Sequence, residues 1–174
     1  MSKLSSSLRV FRFGDPIGQF EVYSGVGASR YPGRWNVRGQ EMIYAAEHYS
    51  TGMLELLVSL GDLPPNQHFI EIEMPKGTSY EVVVDGQLPG WSNDDRRVAK
   101  THGSKWFNEV RTAILFVPSL AARMENNVLI NPSHPDAQHI KPGRETPVLW
   151  DRRLFESTDE HRLEKKGKRR PTRR

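Results

Sequence analysis

The sequence predicts an α+β fold: a single compact domain in which a mixed central sheet of short strands is flanked by helices. Three observations carry that expectation. Short apolar runs bounded by turn residues recur along the chain, a few longer stretches have helical character, and the two kinds are interspersed without the even βαβ spacing of a doubly wound sheet. No internal repeat and no Pro/Gly/Ser linker divides the body.

Taken in order, Val10–Phe13 reads as a short strand closed by Gly14, Asp15 and Pro16. The glycine-rich stretch Ser24–Asn36 reads as loop, and Met42–Ala45 as a buried strand. The clearest helix follows, with Ser50 or Thr51 as cap and Gly61, Pro64 and Pro65 as stop. At about 100° per residue, its apolar side chains leave only Thr51, Gly52, Glu55 and Ser59 in one polar sector. Such a helix is expected to be buried on most sides. Phe69–Met74 alternates as a half-buried strand does, and Tyr80–Val84 is a further β-rich run. Asp94–Lys100 and Ser104–Val110 are expected as two short helices. Ala113–Val117 is a central strand stopped by Pro118, and Val128–Ile130 and Val148–Trp150 complete the strands.

The charge is unevenly placed. The net charge is +4, but residues 161–174 hold eight Lys and Arg against the single acid Glu164, and the preceding 160 residues hold 17 against 20 Asp and Glu. The alkaline balance therefore belongs to a basic C-terminal tail, expected to be flexible and solvated, and residues 1–160 form the domain. The absence of cysteine excludes disulfides, thiolate metal sites and a cysteine nucleophile. The first residues lack the apolar core of a secretory signal, and no apolar run approaches the roughly 20 residues that span a bilayer. A cytoplasmic domain without membrane contact is expected.

Standard catalytic signatures are missing: no G-x-S-x-G elbow, no phosphate-binding G-x-x-x-x-G-K-[ST] loop and no H-E-x-x-H helix. The six histidines (48, 68, 102, 134, 139 and 161) do not converge on a helix face, so no metal is expected. Four ordinary residues remain. Arg34 sits in a glycine-rich loop where a guanidinium suits phosphate oxygens; the bland alternative is a surface ion pair. Tyr44 lies in an apolar strand and reads equally as a core tyrosine. Glu55 is a lone carboxylate on a nearly apolar helix, facing either water or a site. Ser119, after the strand-ending Pro118, suits a turn.

Their order and surroundings decide more. Gly33-Arg34-Trp35-Asn36, then Gly39 followed by Tyr44, then a helix carrying Leu54-Glu55-Leu56-Leu57-Val58, resembles the RES domain family. Val117-Pro118-Ser119 is similar to that family's V-P-S segment, Glu125–Asp136 to its E-x-N-x-L-x-N-P-x-H-P block, and Asp151–Leu154 to its closing D-x-R-L. The likeness runs in order from about Leu8 to Phe155. Pro32 stands where the family often has glycine.

That resemblance implies an ADP-ribosyltransferase-like fold and a toxin that degrades NAD+ at the nicotinamide–ribose bond. NAD+ is then substrate, and no cofactor is called for. Carried over by position, Glu55, Arg34 and Tyr44 are the catalytic residues, and Arg12, Arg34, Tyr44, Ser119 and Asn131 contact the dinucleotide. Arg9 is close enough to compete with Arg12 for the N-terminal arginine's place, and Asn131 either binds substrate or caps a turn. Water, phosphate or a protein side chain could each accept the ADP-ribosyl group. The implied partner is an Xre-family antitoxin, in a hetero-oligomer or beside a homo-oligomer, with DNA bound by the antitoxin. Two other readings compete: a nucleic-acid-binding module resting on the basic tail, and an interaction domain that has lost activity.

Overall fold

Ser2–Lys3 (β1) and Leu8–Gly14 (β2) open the chain in the computed structural model, which describes residues 2–60 and 66–155. They are followed by Val26–Arg30 (α1), Ile43–Ala46 (β3), Tyr49–Leu60 (α2), His68–Met74 (β4) and Ser79–Val82 (β5). Arg97–Asn108 (α3), Ile114–Pro118 (β6), Asn126–Ile130 (β7), Lys141–Pro142 (β8) and Thr146–Pro147 (β9) complete the order. The strands form one sheet, β1-β5-β6-β7-β3-β2-β4-β8, with β9 also paired to β4. Among the described residues only β5 and β6 run parallel, and α3 makes the crossover between them. The fold is the mixed α+β domain that the sequence predicts.

β6 explains its own composition. Ile114 and Phe116 enter the core on one face with Val10, Ile72 and Ile130, while Leu115 and Val117 enter the core on the other with Trp35, Trp106 and Leu129. A strand buried on both sides needs a continuous apolar run rather than alternation. β4 has Ile70, Ile72 and Met74 buried while Glu73 is exposed, so there the alternation does report a half-buried strand.

β2 and β3 meet at a single point, Phe11 opposite Ala46, whereas β2 pairs with β4 along its whole length. The sheet is therefore parted between β2 and β3. Arg12 fills the gap: its guanidinium donates to the carbonyls of Tyr44 at 2.6 Å and Ser24 at 2.9 Å, and Nε donates to Val22.

Several expectations are corrected. The glycine-rich stretch is not all loop, since Val26–Arg30 forms α1. The two short helices are one, α3, which runs through Gly103; a Cβ there would strike the Trp35 carbonyl, so this glycine marks a close approach and not a break. Val148–Trp150 is not a strand, the pairing falling instead on Thr146–Pro147. The helix α2 starts at Tyr49, its first bond running from Gly52 N to the His48 carbonyl, so Ser50 and Thr51 lie inside it.

Nor is α2 buried on most sides. Thr51 and Gly52, from its polar sector, are its buried residues, while Leu54, Val58 and Leu60 are 43%, 73% and 48% exposed. The reason is contact distance: Gly52 lies against the Phe13 ring so closely that a Cβ would overlap it. Gly61, Pro64, Pro65 and the basic tail 161–174 lie outside the described residues. Among the described residues no helix is long and apolar enough to cross a membrane.

Candidate active site

The parted sheet creates a cleft, and the Gly33–Asn36 loop forms one wall. Gly33 is required where it stands, because a Cβ would lie 2.8 Å from the Tyr44 ring carbon Cζ and hydroxyl. Trp35 is buried, stacked on Trp91 with centroids 6.0 Å apart, and its N–H donates to the Tyr44 hydroxyl at 3.1 Å. That hydroxyl donates in turn to Asn36 Oδ1 at 2.9 Å, which also accepts the Gly33 N–H at 2.8 Å. Asn36 is fully buried, and its amide nitrogen donates to the carbonyls of Ala28, Val37 and Gln40. With both ends of its side chain satisfied, Asn36 holds the loop in one conformation. Burial raises the Tyr44 phenol pKa, so the group stays a protonated donor.

Arg34, between these anchors, faces the cleft. One nitrogen donates to the carbonyls of Trp91 at 3.2 Å and Asn93 at 2.8 Å. Its pKa is lowered, first by desolvation and next by the like charge of Arg96, while Asp94 and Glu55 oppose that shift.

Across the cleft, α2 presents Glu55. Its Oε1 accepts the Ser119 hydroxyl at 2.7 Å and the Asn127 amide at 2.6 Å. Among the described residues no hydrogen bond reaches Oε2. Two contiguous cavities meet at this carboxylate. One of about 270 Å³ runs along Phe11, Phe13 and Leu56; the other, of about 640 Å³, runs along Arg34, Trp91, Arg96 and Leu120. Tyr44, Glu55, Ser59 and Asn127 line both. Volumes of this order suit small-molecule and cofactor sites.

The structure brings together Arg34, Tyr44 and Glu55, with Arg12 behind them. Burial lowers the Arg12 pKa to about 10, and its three carbonyl acceptors offset the loss of water. Arg9 is elsewhere, in an exposed ion pair with Glu71 at 3.2 Å. Ser119 is in place but completely buried, with its hydrogen on Glu55 and its oxygen accepting the Ala122 N–H at 2.9 Å. It therefore reaches the cleft through Glu55.

Asn131 does not reach the cleft. It is fully buried in a turn, donating to the Phe107 carbonyl at 2.9 Å and accepting from Ser133 N at 3.1 Å. Asn127, on the preceding strand β7, is the asparagine on Glu55. It occupies the Asn of E-x-N, a signal present in the sequence and passed over, as is the Asn of G-R-W-N. Trp91 and Arg96 carry no comparable signal.

A Ser–His–Asp cluster also exists, Ser79, His134 and Asp136, but its geometry is structural. His134 Nδ1 accepts the Asp136 N–H at 3.0 Å, which puts a neutral ring's proton on Nε2, facing the Ser79 hydroxyl at 3.5 Å. The ring cannot then take that hydroxyl's proton, and Ser79 is fully buried.

A mixed sheet parted over a cleft, with a tethered carboxylate and an arginine on facing walls, defines the architecture of a small α+β domain. The RES domain model matches residues 9–151, and the chain belongs to the RES domain family. It is 43% identical over 138 residues to a Sphingobium protein named Prs ADP-ribosylating toxin, covering 76% of this chain and 86% of that one. A Pseudomonas putida protein named Toxin Res is 34% identical over 145 residues, covering 80% of this chain and 97% of its own. Among solved structures, the Mycobacterium tuberculosis MbcT–MbcA toxin–antitoxin complex contains a chain of the same fold. Its TM-score is 0.66 at 15% identity, covering 84% of this chain and 86% of that one.

Proposed function

We propose that this chain is the toxin of a toxin–antitoxin pair and that it arrests growth by cleaving the nicotinamide–ribose bond of NAD+. One observation carries the chemistry. Glu55, at the junction of two cavities, is tethered through Oε1 to Ser119 and Asn127, while among the described residues Oε2 has no hydrogen-bond partner. The relatives' toxin names and the toxin–antitoxin complex of the structural neighbour support the biological half.

Nicotinamide leaves NAD+ as a neutral ring, and positive charge develops on the ribose as the bond lengthens. A carboxylate held at a fixed angle stabilises that charge without reorganising. Glu55 Oε2 has this part and can accept a hydrogen bond from the ribose 2′-hydroxyl. Tyr44 offers its ring to the nicotinamide, and Arg34 takes the pyrophosphate. Arg12 spans the parted strands and Ser119 acts through Glu55. Asn127 takes the site role first given to Asn131. Attack by water completes hydrolysis to ADP-ribose, and attack by inorganic phosphate completes phosphorolysis.

Transfer of ADP-ribose to a protein is the second reading, favoured by the Sphingobium relative's name and by exposed Val58 and Leu120 at the cleft. Apolar side chains there suit a docked polypeptide, whether acceptor or an Xre-family antitoxin that blocks the cleft. The domain is assigned to residues 1–160, with 161–174 dispensable: a chain truncated after Asp159 keeps its turnover.

The test is nicotinamide release from NAD+ by the purified chain, with and without phosphate. ADP-ribose marks hydrolysis, its phosphate ester phosphorolysis, and label on protein marks transfer. Glu55→Gln is expected to lose about 100- to 1000-fold in rate with NAD+ binding intact. Arg34→Ala weakens binding as well. Wild-type turnover in Glu55→Gln would sink the assignment.

A further inference from the structure

We propose that Arg96 is the second arm of an arginine clamp which, with Arg34, holds the pyrophosphate of the dinucleotide in the larger cavity; this rests on the NAD+ reading above. Four observations meet at this residue. Arg96 lines the larger cavity beside Arg34 and is absent from the lining of the smaller one. Among the described residues no hydrogen bond or ion pair engages its guanidinium. Its backbone is left-handed, φ 54° and ψ 10°, at the residue that precedes α3. Its charge is felt by both Arg34 and Tyr44.

The backbone is informative because a non-glycine residue in that conformation is strained and persists where its surroundings hold it. Here the strained residue is pinned from both sides, its N–H on the Asn93 carbonyl at 3.1 Å and its carbonyl accepting Lys100 N at 2.9 Å. Asn93 also receives Arg34, so a single turn fixes the positions of both arginines.

The electrostatics point to a ligand with two negative charges. Two guanidinium groups placed side by side repel in the free protein, and desolvation of Arg34 aggravates this. An anion between them reverses the sign of the arrangement. A pyrophosphate offers one charge to each arm, and a guanidinium can bond each phosphate through two nitrogens. Among the described residues Arg34 commits one nitrogen, to the Trp91 and Asn93 carbonyls. The acids nearby do not neutralise the pair: Asp94 is exposed, Asp95 is paired with Arg97, and Glu55 is tethered on the facing wall. The larger cavity would then take the charged middle of the dinucleotide, and the smaller, lined by Phe11 and Phe13, an uncharged ring.

The experiment measures binding of NAD+ and of nicotinamide riboside, which has no phosphate, to the full chain by calorimetry, with KM and kcat for nicotinamide release. Arg96→Ala should weaken NAD+ binding about 10- to 100-fold, the loss expected for a charge-assisted contact. The effect should fall on KM rather than kcat, and riboside binding should not change. Arg96→Gly guards against a backbone artefact, since glycine accepts the left-handed conformation. It should weaken NAD+ binding as much as Arg96→Ala does. If Arg96→Gly binds NAD+ like the wild type, or if riboside binding falls equally, the clamp is overturned. A wild-type chain that binds no NAD+ instead overturns the parent reading, so the two failures are distinct.

Discussion

The Ser119 hydroxyl donates to Glu55 Oε1 at 2.7 Å while its oxygen accepts the Ala122 N–H at 2.9 Å. The end of a core strand thereby sets the angle of a carboxylate on a helix 64 residues away in sequence. Asn127, at the start of the neighbouring strand, adds a second donor to the same oxygen. One donor directly follows β6 and the other lies in β7, so Glu55 is aimed from two adjacent strands of the sheet.

Removing that donor should affect rate before affinity. Ser119→Ala leaves Oε1 held by Asn127 alone and leaves the Ala122 N–H without its acceptor. An interaction with a charged group is typically worth about 1.5–3 kcal/mol, so kcat for nicotinamide release should fall at least 10-fold. KM should move little, since Ser119 is buried. Unchanged kcat in a folded variant would mean that Glu55 needs no such support.

Asn36 should matter through stability. Asn36→Ala strands the Gly33 N–H, the Tyr44 hydroxyl and three carbonyls near the core. Each buried polar group left unsatisfied costs about 1–3 kcal/mol. Thermal melting should fall by several degrees at least, at roughly 2–4 °C per kcal/mol for a chain of this size. Asn36→Asp keeps the acceptor oxygen but loses the donor, and should melt early too. An unshifted melting curve for Asn36→Ala would contradict the anchoring role.

Gly103→Ala sets two effects against each other. Alanine in a helix interior is favoured over glycine by about 1 kcal/mol. The added methyl, however, meets the Trp35 carbonyl, and overpacking of this kind costs about 1–3 kcal/mol or more. Backbone cannot swing aside as a flexible side chain can, so the variant should be destabilised. Chemical denaturation gives the sign directly; a more stable variant would show that the loop can retreat.

Acid should weaken the fold partly through Asp136. Its pKa is lowered first by the hydrogen bond with the Ser79 side chain, with the Ser79 N–H and His134 adding to the effect. A carboxyl depressed in the folded state stabilises it above the unfolded value of about 4 and ceases to as pH falls through the folded value. Asp136→Asn should therefore flatten the loss of melting temperature below about pH 4 relative to the wild type. Parallel curves for the two proteins would remove Asp136 from that account.

The strands were legible where burial was one-sided or complete. Alternation in Phe69–Met74 and the unbroken apolar run before Pro118 each state how a strand is covered. Legibility stopped where contact distance mattered more than periodicity. Gly103 looks like a helix break in sequence because nothing local reveals the Trp35 carbonyl above it. The orientation of α2 was hidden for a similar reason: a helix with apolar residues on most sides does not say which side is inside, and Gly52 of its polar sector supplied the close contact, against Phe13.

By itself the sequence determined the α+β class, most strands and the residues Arg34, Tyr44 and Glu55, because their motifs are contiguous and ordered along the chain. Only the tertiary structure put Arg12 rather than Arg9, and Asn127 rather than Asn131, at the cleft. Arg9 and Arg12 are three residues apart on one strand, and side chains at odd spacing point to opposite faces. Asn127 and Asn131 are four apart, which puts them about 13 Å from each other along β7. The first lies opposite Ala46 and Val117 beside the cleft, and the second in the turn against α3. Such choices depend on strand register and on which neighbours meet, and those are set by contacts between distant segments, not by the order of residues within one.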